Sequence, residues 1–419
     1  MARGIFRNDL TLDGLVQSLG IISLHTSPLT QPGTGDSGGM NVYVRELVGS
    51  LAQAGVSSRV YVRRWDADLP DVVDVEPGFR VVHIDAGRPD LPKEALPDVV
   101  EEFTDGVTRD LLENGPVDTL HANYWLSGVA GHKIKHTLGL PLVSTFHTLA
   151  RVKAEACDPE PQRRVDAETE VIGCSDVILA NSPTEAAQLR DLYGAEPDRI
   201  EIVPPGVVQA FFYPGDRRGA LAALGLGEHP GLLFVGRIQP LKGLDVAVAA
   251  LAELDDPTAV LVAVGGPSGA EGPAEMARVQ ALAAELGVSD RVRFVPPQPH
   301  HMLSTYYRAA DVTIVPSRSE SFGLVALESA ACGTPVVAAA VGGLRTLVVP
   351  GETGYLVDDR DPARYAAHVA DILGDGSLAE RLSEGASALA RGFTWSTTAA
   401  RLRRLYADLA VRTLVDCAV

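Results

Sequence analysis

Arg237, Lys242, Glu320 and Glu328 have the types and spacing to work on a sugar diphosphate. Gly236-Arg237 closes an apolar run, and Pro240, Lys242 and Gly243 open the amphipathic stretch that follows. Arginine offers a planar fork of donors and lysine a point charge, so this pair can converge on a diphosphate. A lysine at a helix start opposes the positive end of the helix dipole. An anion held between the two cations explains it better than a solvated basic start does. Further along, Glu320 falls in a loop after DVTIVPS, and Glu328 lies inside the apolar LVALESAA, ahead of Cys332-Gly-Thr-Pro335. A carboxylate buried there requires donors, and sugar hydroxyls are suitable ones.

A second constellation lies near the start of the chain. His25-Thr-Ser-Pro28 leads through Gln31-Pro32-Gly33-Thr34-Gly35-Asp36 into Ser37-Gly38-Gly39-Met40-Asn41, where an amphipathic helix opens. Glycines ahead of a helix let backbone N–H groups approach a phosphate, which the dipole favours. The segment is neither G-x-G-x-x-G nor a Walker loop. Its glycines alone would read as an ordinary strand-to-helix turn; His25, Asp36 and Asn41 beside them shift the reading toward binding.

The elements that must position these residues follow a βαβ rhythm. GIISLHT, SRVYVRRW, FRVVHID, VDTLHANYW, PLVSTFHT, DVILANS and IEIVPPG alternate with amphipathic segments, the pattern of a mostly parallel sheet. After Pro204, Pro205, Gly206 and Pro214 it restarts with GLLFVGRI, AVLVAVGG, RVRFVPPQ, DVTIVPS, TPVVAAAVGG and TGYLVD. The expected fold is α/β, two doubly wound Rossmann-like domains facing a cleft, over residues 1–204 and 205–391. Residues 392–419 supply a C-terminal helix that crosses back to the first. Ligands of such sheets sit outside the carboxyl ends of the strands, where the unusual residues fall.

Composition limits the partners. The 419 residues suit two large domains, and 54 acidic against 36 basic side chains give a formal charge of -18. No broad basic footprint for nucleic acid is left, so any polyanion site must be local. No apolar run approaches the ~20 residues needed to span a bilayer. MARGIFRNDLTLDGLVQSLG lacks a long apolar centre with a small-residue cleavage site, so residues 1–18 read as an extension. Cys157, Cys174, Cys332 and Cys417 lie far apart with no C-x-x-C pair. That spacing argues against a zinc site or disulfide scaffold and for a reducing cytoplasm. The oligomeric state stays open, a homodimer included.

Together, Gly236-Arg237, Lys242-Gly243 and Glu320 to Pro335 resemble the donor-site signature of retaining GT-B glycosyltransferases. His25 to Asn41, His121-Ala-Asn-Tyr-Trp-Leu-Ser-Gly128 and Phe146-His147-Thr148-Leu149 resemble, more narrowly, the D-inositol-3-phosphate glycosyltransferases of mycothiol biosynthesis. The resemblance runs from about Leu19 to Leu409. It implies a hexosyltransferase that moves GlcNAc from UDP-GlcNAc to 1D-myo-inositol 3-phosphate with retention, by a front-face reaction. By resemblance, the diphosphate falls to Arg237, Lys242 and the Gly39 backbone, the ribose to Glu328 and the donor sugar to Glu320. Gln31, Pro32 and Gln298 lie near the donor, and His147 beside the reacting sugar. His25, Asp36, Ser37, Gly38, Gly39, Met40, Asn41, Lys93, Tyr124, Thr148 and one of Arg163 and Arg164, with Arg164 favoured, surround the inositol phosphate. A structural Mg²⁺ falls to Tyr307, Arg308, Ala310 and Thr334. The loop from Ala150 to Gln162 is shorter than in the family, and Gln298 stands where some relatives have arginine. Other acceptors (a sugar phosphate, a lipid, a natural product) remain alternatives, as do a phosphorylase or epimerase on this fold and a non-catalytic nucleotide-sugar-binding protein. A binding-only descendant should have lost a donor-site cation or carboxylate, and all four are present.

Overall fold

The computed structural model describes residues 18–33, 35, 37–156, 158–269 and 271–417. Asp36 and residues 1–17 of the N-terminal extension therefore lie outside the described residues. The first sheet contains β1 (Ser18–Ile22), β2 (Ser57–Arg63), β3 (Val72–Glu76), β4 (Phe79–Ile84), β5 (Thr119–Asn123), β6 (Leu142–Thr145), β7 (Val177–Ala180) and β8 (Ile200–Ile202), in the order β3-β4-β2-β1-β5-β6-β7-β8. All neighbours run parallel except β3 against β4. The second sheet contains β9 (Gly231–Val235), β10 (Val260–Val264), β11 (Val292–Val295), β12 (Val312–Val315), β13 (Val336–Ala339) and β14 (Gly354–Val357), in the order β11-β10-β9-β12-β13-β14. That order is the doubly wound arrangement, and its strand order reverses between β9 and β12. The first sheet reverses likewise between β1 and β5.

Each apolar run carries a strand. Both faces of the first sheet are covered: Ile22, Tyr61 and Leu142 pack into one layer, and Ile21, Val60 and Val143 into the other. This is why these strands read as near-continuous apolar runs. The edge strand β3, VVDVE, is the exception and escapes the sequence pattern. Its residues are half-buried or exposed, so charge interrupts the run.

The second layer of the first lobe is built from both ends of the chain. Tyr43, Leu47 and Leu51 of the Gly39–Gln53 helix meet Trp395, Leu402 and Tyr406 of the Trp395–Val411 helix. Tyr406 Oη lies 2.8 Å from His121 Nδ1, and His121 Nε2 lies 2.8 Å from Thr145 Oγ1. The chain crosses between lobes twice, side by side: Val207 N–H donates to the Phe393 carbonyl at 3.0 Å. At Gly206 the crossings are so close that a Cβ would lie 2.2 Å from the Trp395 nitrogen.

Candidate active site

The carboxyl ends of both sheets open onto one cleft of about 1020 Å³, lined by residues of both lobes. On the first lobe its centre is Tyr124, which follows β5 with φ 77° and ψ 156°. Among the described residues, Tyr124 and His147 (φ 61°) are the two non-glycines with positive φ. Such backbone costs about 1–3 kcal/mol per residue and gathers at functional sites. The Tyr124 ring carries three groups. The His25 ring lies 4.3 Å from it, the Arg164 guanidinium 5.0 Å and the Lys93 ammonium 6.0 Å.

Arg164 is buried in the Gln162–Cys174 helix. It donates to Glu168 Oε1 at 2.7 Å, Glu160 Oε1 at 2.8 Å, Tyr124 Oη at 3.2 Å and both Thr148 oxygens at 3.0 Å. Arg163 is exposed and donates instead to the Glu94 carbonyl at 2.9 Å. Burial holds the His25 imidazole well below its ordinary pKa, and Lys93, His147, Arg237 and Arg164 push it the same way. Cations from both lobes therefore gather on one neutral imidazole, whose buried Nδ1 has no hydrogen-bond partner. In a chain of charge -18 this is a local concentration of positive charge.

The loop after β1 is held by its own residues. Asn41 Nδ2 donates to Ser27 O at 2.6 Å and Thr26 Oγ1 at 2.5 Å, while its Oδ1 accepts from Gly38 N at 2.8 Å. Asn41 thus fixes the turn, and Ser37 is buried with its hydroxyl 3.4 Å from Thr26 Oγ1. Gly38, Gly39 and Met40 line the cleft at the helix start, with Gly33 and Pro32. Gln31 Nε2 bridges the lobes to the Pro297 carbonyl at 3.1 Å. His147 Nε2 lies 2.9 Å from Asn123 Oδ1, and burial, then His121, lowers its pKa to about 3. It is a neutral hydrogen-bonding group.

On the second lobe Arg237 leaves β9, its Nη1 3.4 Å from Ser268 Oγ. Lys242 closes a single 3₁₀ turn and donates to Glu320 Oε2 at 2.6 Å. The Glu320 loop rests on Gly342, where φ is +47° and a Cβ would lie 1.6 Å from the Glu320 carbonyl oxygen. Gln298 lines the cleft, its side chain turned back to the Pro296 carbonyl at 2.9 Å. Glu328 is buried. It accepts from Tyr307 Oη at 2.9 Å and lies 2.7 Å from His300 Nε2. Burial opposes the His300 charge, yet Glu328 outweighs it and raises the imidazole pKa. A carboxylate offers about four acceptor sites, so two remain for a diol.

Several residues here escaped the sequence. His300 follows β11 in PPQPHH, and the rule that ligands gather at strand ends would have found it. Glu185 lines the cleft with its pKa raised to about 7 by burial. Its Oε2 accepts from Asn181 N at 2.7 Å and its own N–H donates to Ser182 Oγ at 3.2 Å, a cap legible in Asn-Ser-Pro-Thr-Glu. The segment after His147 is a helix, Ala150–Glu155, rather than a plain loop. The cysteine reading is corrected: chain folding pairs Cys174 and Cys417 as a disulfide although they stand 243 positions apart in sequence.

Tyr307, Arg308, Ala310 and Thr334 stand apart from the cleft. The Leu303–Ala309 helix ends there, and its Tyr307 carbonyl accepts from Thr334 Oγ1 at 2.6 Å and Ala310 N at 3.2 Å. Carbonyls at the negative end of a helix suit a hard cation in kind; no carboxylate stands among these four.

Residues 37–210 match the family Glycosyltransferase Family 4, and residues 222–388 match Glycosyl transferases group 1. The D-inositol 3-phosphate glycosyltransferase of Streptosporangium roseum is 49% identical over 94% of this chain and 93% of its own. That of Acidothermus cellulolyticus is 50% identical over 93% and 89%. The chain belongs to the D-inositol 3-phosphate glycosyltransferase family. It is a hexosyltransferase of GT-B fold. Among solved structures, the sucrose-phosphate synthase of Thermosynechococcus elongatus superposes with a TM-score of 0.89 at 34% identity, over 94% of this chain and 99% of that one. Anabaena HepE in complex with UDP and glucose superposes at 0.76 and 17% identity, over 94% and 100%, and shares the fold. Among the described residues, no helix is long and apolar enough to cross a membrane.

Proposed function

We propose that this glycosyltransferase works in the cytoplasm and moves GlcNAc from UDP-GlcNAc to 1D-myo-inositol 3-phosphate with retention of configuration. The observation that carries the acceptor reading is the gathering of Lys93, Arg164 and His25 on the Tyr124 ring, where His25 Nδ1 is buried without a hydrogen-bond partner. A phosphate monoester supplies the acceptor oxygens and negative charge that this pocket requires. The names of the relatives support the same acceptor.

Charge grows on the departing diphosphate as the glycosidic bond breaks, through an oxocarbenium-like transition state. Arg237 and Lys242, which line the cleft from the second lobe, meet it. Glu320, oriented by its bond to Lys242, holds donor-sugar hydroxyls, and Glu328, braced by His300 and Tyr307, holds the ribose. His147, neutral and fixed by Asn123, offers a hydrogen bond to the reacting sugar without taking up its proton. The leaving phosphate accepts the acceptor's proton on the front face. A Mg²⁺ on the Tyr307, Arg308 and Ala310 carbonyls with Thr334 would add local charge at a helix end, and no step uses it.

The test is UDP release from UDP-GlcNAc, followed by NMR of the product's anomeric proton. Release with inositol phosphate and an α-linked product support the reading. An inverted linkage, or no release with any sugar nucleotide, would sink it.

A further inference from the structure

Behind the first lobe, away from the cleft, four ligand-type side chains converge. His132 and His136 lie four residues apart on the Trp125–Leu138 helix and therefore share a face. Cys174 ends the Gln162–Cys174 helix, and Cys417 belongs to the tail that follows the last helix. One atom from each lies within 4.8 Å of the others, the single such cluster among the described residues. His136 Nε2 is 3.3 Å from Cys174 Sγ and 3.2 Å from Cys417 Sγ, and His132 Nε2 is 4.0 Å from Cys417 Sγ. A tetrahedron with ordinary Zn–S and Zn–N bonds has edges of about 3.3–3.8 Å. His136 thus presents Nε2 to both sulfurs, and His132 presents Nε2 to that of Cys417.

Two further observations separate this cluster from chance proximity. His132 Nδ1 lies 3.3 Å from the Glu170 carboxylate, the outer-sphere contact that orients a metal-ligating histidine and fixes its tautomer. The tail is also led to the spot: Val415 N–H donates at 2.7 Å to Asp176, whose carboxylate is buried in an ion pair with Lys135 at 2.8 Å. Cys174 and Cys417 are paired as a disulfide, their Cα atoms 5.6 Å apart, so all four ligands are available only to the reduced chain.

We propose that His132, His136, Cys174 and Cys417 bind one Zn²⁺ when the Cys174–Cys417 disulfide has been reduced to two thiols by a cellular dithiol. Four protein ligands close the coordination sphere, so the ion is structural. Each thiol releases its proton on ligation. The ion clips the tail after Val411 to the amino ends of β6 and β7. The Trp395–Val411 helix, which completes the core of the first lobe, is thereby held from both sides.

The experiment is metal analysis of the full-length protein purified under reducing conditions, for the native chain and for Cys417→Ser and His136→Asn. About one zinc per chain is expected, falling at least ~10-fold in each variant, with limited proteolysis of the tail sped up by a similar factor. Replacing zinc by Co²⁺ in the native chain provides a check that needs no variant: visible bands of tetrahedral, thiolate-ligated Co²⁺ are expected. A metal-free native chain overturns the proposal, whether Cys174 and Cys417 are recovered as thiols or as a disulfide-linked peptide. So does zinc retained by both variants, or Co²⁺ bound without thiolate bands.

Discussion

Replacing Lys93 by methionine should separate acceptor recognition from folding. Lys93 is half-buried at the cleft, its ammonium 6.0 Å from the Tyr124 ring centroid, and methionine keeps its length while removing the charge. A hydrogen bond to a charged group contributes about 1.5–3 kcal/mol, or ~10- to 150-fold in affinity. The variant should therefore raise KM for inositol 3-phosphate by about that factor, with kcat nearly unchanged, as loss of uniform binding does. Arg164 makes the contrast. Its partner Glu168 is fully buried, so Arg164→Ala strands a charge and costs about 3–5 kcal/mol of stability before any effect on binding. The assay is UDP release against acceptor concentration, with a thermal melt of each variant. His25 supplies a second readout. Lys93 lowers its pKa, so an NMR titration of Lys93→Met should find His25 higher than in the native chain, though still below its ordinary value because burial dominates. Unchanged KM and an unmoved His25 would refute the account of the acceptor pocket.

Lys242→Ala should reduce kcat by about 10²–10³ through loss of one oriented donor to the leaving group, measured at saturating donor; near-native turnover contradicts the role given to it. Glu185 sets a pH dependence of stability. The folded chain takes up this proton at about 7 and the unfolded chain at the ordinary 4.5. Stability is therefore full below 4.5 and falls as pH rises through 7, by ~3 kcal/mol in all. Glu185→Gln should flatten that slope in denaturant melts from pH 5 to 9, and an unaltered slope would mean another group is responsible.

Much of the cleft was legible because it obeys a local rule. Arg237, Glu320, His25 and Tyr124 each follow a strand at a point where sheet order reverses, and the apolar runs mark those strands without reference to tertiary contacts. What the pattern could not give depends on partners distant in sequence. The bracing of Glu328 by His300, the pairing of Lys242 with Glu320 and the commitment of Asn41 to its own turn are visible only once the loops have folded. The cysteines misled for the same reason, since C-x-x-C spacing reports sites built within one turn. The cluster behind the first lobe takes its ligands from two helices and a tail. Only the i, i+4 spacing of His132 and His136 hinted at it.

The central claim is that the first lobe reads a phosphate while the second activates a sugar. The most direct test is the ratio of kcat/KM for 1D-myo-inositol 3-phosphate to that for unphosphorylated myo-inositol at saturating UDP-GlcNAc. Two charge-assisted contacts of ~2 kcal/mol each predict a preference of about 10³ for the phosphate. Equal values for the two acceptors would contradict it.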